Sequence, residues 1–368
     1  MNKLVISNLV HRPLRSLISI VAIAVEVTLI LVIVGLSIGI LNDGKQRQRG
    51  LGADVMVQPP GASSIGLLSG APAPIKIADK LRALPHVAVV SPVVTQLNTG
   101  GSVEVIYGID LASFEALGGP LRYLAGGPFT GPNDVIIDDF FAQSKHLKVG
   151  DSIPVIGPRP FRICGIILHG RGGRKFLELT TMQDLLGAQG KASIFYIKTD
   201  EPKNADLVVQ EIKAIPGMQD YGTRTMQDWL SMMTPETVPG FSTFIRVVIG
   251  VAVIIGFIVI FQAMYTAVME RTREIGILKA MGASKGYIMN VILRETMLLA
   301  VVGIILGIGI SAVTRIGLVQ RFPTIRVELT GHWILNACII ALIGAALGAI
   351  YPAFKAAQKD PIDALAYE

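Results

Sequence analysis

Four apolar runs constrain this chain more than any other feature: Leu17–Leu41, Phe244–Val268, Met297–Val313 and Trp333–Phe354. Each is long enough to cross about 30 Å of hydrocarbon as an α-helix. Backbone polar groups find no water there, so a helix, which satisfies them internally, is the form such a run takes. The spacing is uneven. A long interval, 42–242, separates the first two runs, while short segments join the rest. The predicted fold class is a membrane protein with four transmembrane α-helices plus a large extracytoplasmic α/β domain. Composition agrees, because 16% charged residues is well below the roughly 25% of soluble domains. The first run exceeds the 7–15 residues of a signal-peptide core and no small-residue cleavage site follows it, so it reads as a retained span.

Lys and Arg in the short flanking segments set the orientation. Lys3, Arg12 and Arg15, then Arg271, Arg273, Lys279, Lys285 and Arg294, then Lys355 and Lys359 fall on one side; the short loop opposite has Arg315, Arg321 and Arg326. Both termini and the segment Met269–Glu295 are predicted cytoplasmic, and the long interval external, in a multi-pass membrane protein. The net charge of +6 largely reflects this inner-face bias. No basic run with interleaved aromatics points to nucleic acid.

Nothing in the pattern points to an enzyme. The five histidines are scattered and the two cysteines, Cys164 and Cys338, fall in the external interval and the last span, so neither metal-ligand spacing nor a disulfide is expected. There is no G-x-S-x-G elbow and no Walker A loop, so no cofactor is expected on this chain. Asp138 and Asp139 are adjacent, and on a strand they would face opposite sides.

Within the external interval, Ala53–Gln58, Val87–Val94 and Val103–Ile109 read as strands and Ile77–Leu84 as a short helix. The segments after Ala78 and after Ala205 echo each other, each a helix running into a Pro-marked turn, as two related β-α-β halves would. Asp134–Ile137, Ser152–Ile156 and Phe161–Leu168 read as strands of a β-rich insert, about 121–190. The expected domains are thus 1–41, 42–242 and 243–368. Gly170–Lys175 reads as a solvated, mobile hairpin in preference to an anion-binding loop, and Pro59–Pro74 as a flexible loop.

Every span carries a small-xxx-small pair that permits close helix approach: Gly35/Gly39, Ala252/Gly256, Gly303/Gly307 and Gly344/Gly348. Glu26, midway along the first span, is costly there and calls for an internal partner or a water-facing place. Arg246, near the end of the second span, is placed to snorkel.

The most specific motif follows the second span: Glu270-Arg-Thr-Arg-Glu-Ile-Gly-Ile-Leu-Lys-Ala-Met-Gly282. As a helix it places Arg271, Ile275, Leu278 and Gly282 near one face and Glu270, Glu274 and Ile277 near another. Gly282–Gly286 then breaks the helix. This motif resembles the coupling segment of the MacB/FtsX-like ABC permease family, the type VII transporters that work by mechanotransmission. Tyr351-Pro-Ala353, Asp360–Leu365 and the entry Asn8–Leu17 resemble that family too, as does the layout of one helix, a large external domain and three helices.

The resemblance implies a porter-like external domain with a β-rich insert, and a permease subunit driven by a separate ABC ATPase, since the fused ATPase of MacB itself is missing here. It assigns ATPase coupling to Glu270, Arg271, Arg273, Glu274, Ile277, Leu278, Lys279, Met281 and Gly282. It implies a second permease copy as partner, a periplasmic adaptor with an outer-membrane channel, contact with membrane lipids, and export from the periplasm. Lipoprotein extraction, as in LolC/LolE-like systems, and FtsX-like control of a cell-wall hydrolase are the other activities it implies.

Overall fold

A computed structural model describes residues 13–61, 72–98, 104–237 and 240–358. The motif residues Asn8–Arg12 and Asp360–Leu365, and most of the expected loop Pro59–Pro74, lie outside the described residues. The chain forms two compact units: one comprises residues up to Gly39, Gly240–Gln320 and the chain from Arg326, the other Ile40–Pro239 and Arg321–Ile325.

In the first unit the four apolar runs are helices longer than the runs themselves: α1 (Pro13–Arg49), α8 (Phe241–Glu270), α10 (Lys285–Arg321) and α11 (Gly331–Gln358). All four are long and apolar enough to cross a membrane. Small residues set how closely they pack. A Cβ added at Gly303 would lie 2.9 Å from the Ile20 carbonyl oxygen, and one at Gly307 2.8 Å from that of Ala24, so α10 lies against α1 backbone to backbone. Gly348 does the same against Phe257 and Ile260 of α8. α11 presents a buried seam of Ala337, Ala341, Gly344, Ala345, Gly348 and Ala349. Pro352 lies inside α11, where it removes one helix hydrogen bond. Gly35 and Gly39 sit against the backbone of Arg326 and Glu328. These pairs are therefore occupied by contacts within one protomer.

The second unit is built on one mixed sheet. Strands β1 (Val55–Gln58), β3 (Val87–Asn98), β11 (Ile194–Thr199) and β12 (Gly222–Thr225) lie in the order β12-β1-β11-β3, each pair antiparallel. Helix α2 (Ile77–Arg82) connects β1 to β3, and α6 (Ala205–Ala214) connects β11 to β12. This is the split β-α-β arrangement of ferredoxin-like folds, and the two echoing segments are its two helices. Ala78 and Leu81 of α2 share a core with Val208 and Ile212 of α6, over Val55, Val57, Phe195 and Ile197.

The chain between β3 and β11 extends the same sheet. β4 (Glu104–Ile109) adds to β3, followed across the sheet by β9 (Lys175–Glu178), β6 (Asp134–Asp138), β8 (Pro160–Ile167) and β5 (Tyr123–Gly126). β4–β9 and β6–β8 are parallel pairs. The short helices α3 (Leu111–Gly118), α4 (Asp139–Lys145) and α5 (Leu179–Leu186) connect these strands, β7 (Ser152–Pro154) pairs with β8, β2 (Ala73–Pro74) pairs with β10 (Lys191–Ala192), and α7 (Met226–Met232) follows β12. Val90–Thr95 of β3 is buried residue after residue, as expected of a strand covered on both faces.

Asp138 and Asp139 are not two strand residues. Asp138 ends β6 and caps α4, accepting the Phe141 N–H at 2.7 Å, while Asp139 opens the helix. This is the usual role of an aspartate where a strand turns into a helix.

Candidate functional site

The motif after the second span folds as a separate short helix, α9 (Thr272–Ala280). Arg271 breaks it from α8 with a non-helical backbone, φ −108°. The Thr272 hydroxyl donates to the Met269 carbonyl at 2.8 Å, capturing an acceptor stranded at the end of α8. At the other end Gly282 adopts φ +93°. Its N–H donates to Lys279 O and that of Ala283 to Leu278 O, both at 3.0 Å. This left-handed cap is open to glycine at little cost and terminates the helix. The Ser284 hydroxyl then accepts the Tyr287 N–H, capping α10.

Two cations of the motif turn inward and pin α9. Arg271 pairs with Glu295 of α10 at 3.1 Å, and the Glu295 side chain is only 3% exposed. Lys279 donates to the Ala357 carbonyl near the end of α11 at 3.0 Å, where helix carbonyls lack internal partners. Ile275 and Gly276 are buried beneath the helix. Half-buried Leu278 lines a cavity of about 70 Å³ with Met264, Tyr287 and Ile292. Glu270, Arg273, Glu274, Ile277, Met281 and Gly282 remain at the surface, with Met281 71% exposed. The nine motif residues therefore divide: Arg271, Leu278 and Lys279 hold the segment to the membrane unit, and the other six form its outer face.

Glu295, which pairs with Arg271, is the anchoring residue that the sequence did not single out. It served there only as the end of a segment. The available signal was an acid early in an apolar helix, which needs a cation, with a chain of cations shortly before it. Glu26 behaves differently. It is 3% exposed, and neither carboxylate oxygen has a hydrogen-bond partner among the described residues. A Cβ added at Gly256 would collide with its carboxylate, and one added at Gly344 would lie 3.8 Å from its Oε1, so glycines on two helices make the room for it.

The external unit holds a second charged cluster, and it corrects the expected solvated hairpin at Gly170–Lys175. Arg174 and Lys175 are buried. Arg174 donates to Asp43 at 3.0 Å, Asp138 at 3.2 Å and the Thr324 carbonyl at 3.1 Å. Lys175 pairs with Glu104 at 2.6 Å and lies 4.3 Å from the centre of the Phe141 ring. The Gly172 N–H donates to the Arg47 carbonyl. The loop thus grips the last turns of α1, and its charges stay buried because each has a partner. Burial raises the Asp138 carboxyl to about 6 in spite of the Arg174 guanidinium beside it.

Comparison with known proteins gives two family models: an MacB-like periplasmic core domain matches residues 16–215, and an FtsX-like permease C-terminal model matches residues 246–361. The macrolide export ATP-binding/permease protein MacB 1 of Yersinia pestis is 26% identical over 317 residues, covering 78% of this chain and 48% of that protein. The chain spans about half the length of that relative. The ABC transporter permease YknZ of Bacillus subtilis is 32% identical over 129 residues, covering 34% of this chain and 32% of that protein. Among solved structures, the periplasmic region of MacB from Actinobacillus actinomycetemcomitans matches with a TM-score of 0.37 and 16% identity, over 50% of this chain and 94% of that one.

Proposed function

The chain belongs to the MacB/FtsX-like family of ABC transporter permeases, and from that premise we propose that it couples ATP hydrolysis by a partner ATPase subunit to shape changes of its external unit. In this reading α9 and the chain termini face the cytoplasm of an inner-membrane protein, and the sheet unit faces the periplasm. Two permease copies act together, by mechanotransmission, with a periplasmic adaptor and outer-membrane channel receiving the exported substrate. In this reading ATP is bound by the partner ATPase.

The observation that carries this reading is the outer face of α9. Arg273, Glu274, Ile277 and Met281 project from a short helix whose inner side is fixed to α10 and α11. Such a helix presents charge and apolar area to a partner and passes displacement on through its pinned ends. Losing one member of a desolvated charge pair costs about 2–5 kcal/mol at a protein interface. Glu274→Lys and Ile277→Asp should therefore abolish co-purification with the ATPase and stimulation of its turnover, at unchanged membrane insertion. Lys213→Ala, in the exposed part of α6, should leave both intact. Normal binding and stimulation in Glu274→Lys and Ile277→Asp would reduce α9 to a membrane-surface helix.

A further inference from the structure

The adjacent parallel strands β4 and β9 end in register, with Ile109 beside Glu178, and each leads at once into a helix. The two helices part. Phe114 and Leu117 of α3 share a core with Tyr107, Ile109 and Phe176, while Leu179 and Met182 of α5 share another with Ile106 and Leu177. Neighbouring residues of a strand point to opposite faces, so α3 covers one face of the sheet and α5 the other. Where neighbouring parallel strands send their helices to opposite faces, a gap is left between them. In open α/β sheets that crevice, beyond the carboxyl ends of the strands, is where ligands bind.

Here the crevice has a volume of about 570 Å³, within the range of small-molecule sites. Asp110 and Leu111 line it from the start of α3, Glu178 and Leu179 from the start of α5, and Gly131 from the turn before β6. Half-buried Ile75 and Phe129 add apolar surface. The charges do not balance. Arg82, the cation of the crevice, is already paired with Asp79 at 2.8 Å. Asp110 accepts the Ser113 N–H through Oδ2 alone, and the Glu178 side chain makes no cap bond to α5.

We propose that this crevice binds a small organic cation, a protonated amine on an apolar body. Glu178 and Asp110 accept hydrogen bonds from the ammonium, and Leu111, Phe129 and Leu179 cover the body. An ammonium carries donors and no acceptor, which suits two carboxylates, whereas an anionic ligand would meet like charge. The site lies wholly within the external unit and stands whether or not α9 receives an ATPase.

Calorimetric titration of the purified full-length chain in detergent tests it, with phenylbutylamine, phenylbutanol and phenylbutyrate as probes matched in body and different in charge. The amine should bind saturably, and the alcohol and the acid should bind far more weakly. Glu178→Gln should raise the dissociation constant of the amine by about ten- to a hundredfold, the range for a hydrogen bond to a charged group. Asp220→Asn, an exposed acid outside the crevice, should leave it unchanged. A Cβ at Gly131 meets nothing within 4 Å, so Gly131→Phe should fill the crevice and abolish binding at an unchanged melting temperature of the free chain. Equal binding of the three probes would overturn the assignment to cations. Absence of saturable amine binding, or amine binding that survives both Glu178→Gln and Gly131→Phe, would overturn the site.

Discussion

Arg271 and Glu295 sit on either side of the turn between two helices, and their contact fixes where α9 leaves the membrane unit. The Glu295 carboxylate is nearly inaccessible, so removing its cation strands a buried charge. Glu295→Ala or Arg271→Ala should each cost about 3–5 kcal/mol, the usual loss on breaking a buried pair. The double variant Arg271→Met/Glu295→Leu should recover much of that, as read by thermal inactivation of the purified chain. Additive losses would show that the two side chains do not act on each other. Asp138 carries a pH dependence of its own. Its folded-state value of about 6 lies above the ordinary 3.8, so between those values the folded chain holds a proton that the unfolded chain has released. Its contribution to stability is fully present below about 4 and is lost as pH rises to about 6. Asp138→Asn keeps a side-chain cap for α4 and should flatten the melting temperature over that window. An unchanged slope would show that Arg174 outweighs burial.

At the scale of elements, glycine placement decides which helices touch. A Cβ at Gly307 would meet the Ala24 carbonyl oxygen and the Val27 Cβ at 2.8 Å, whereas one at Gly309 would meet nothing within 4 Å. Gly307→Leu should therefore destabilise the membrane unit by about 1–3 kcal/mol, the usual cost of overpacking, and Gly309→Leu should not, as measured by melting in detergent. Equal effects would remove the close α1–α10 approach. The sequence made the spans legible because length and apolarity suffice for them. Strands such as β6 and β8 were legible from apolar runs bounded by glycine and proline. The short helices α3, α4 and α5 were not, because elements of seven or eight residues hold through tertiary packing rather than through their own propensity. Of the segment after the second span, the helix and its Gly282 stop could be read locally. The inward turn of Arg271 and Lys279 could not, since their partners lie on later helices. For the same reason Gly170–Lys175 read as a solvated loop: Asp43, Asp138 and Glu104, which neutralise it, are all distant in sequence.

At the scale of the whole molecule, the chain combines a membrane unit of four helices with a ferredoxin-like sheet extended by an inserted α/β segment, in a family of ABC permeases. α1 runs as one helix from Pro13 to Arg49. Its last turns are held by Arg174 through Asp43 and by Gly172 through Arg47. The central claim is that α9 receives an ATPase, and a photo-crosslinking amino acid at Met281, which is 71% exposed, tests it most directly in living cells. The account predicts a covalent product containing an ABC ATPase subunit from position 281, and none from the same probe at Lys213. A probe at position 281 that captures only lipid, or an ATPase captured at Lys213 instead, would contradict it.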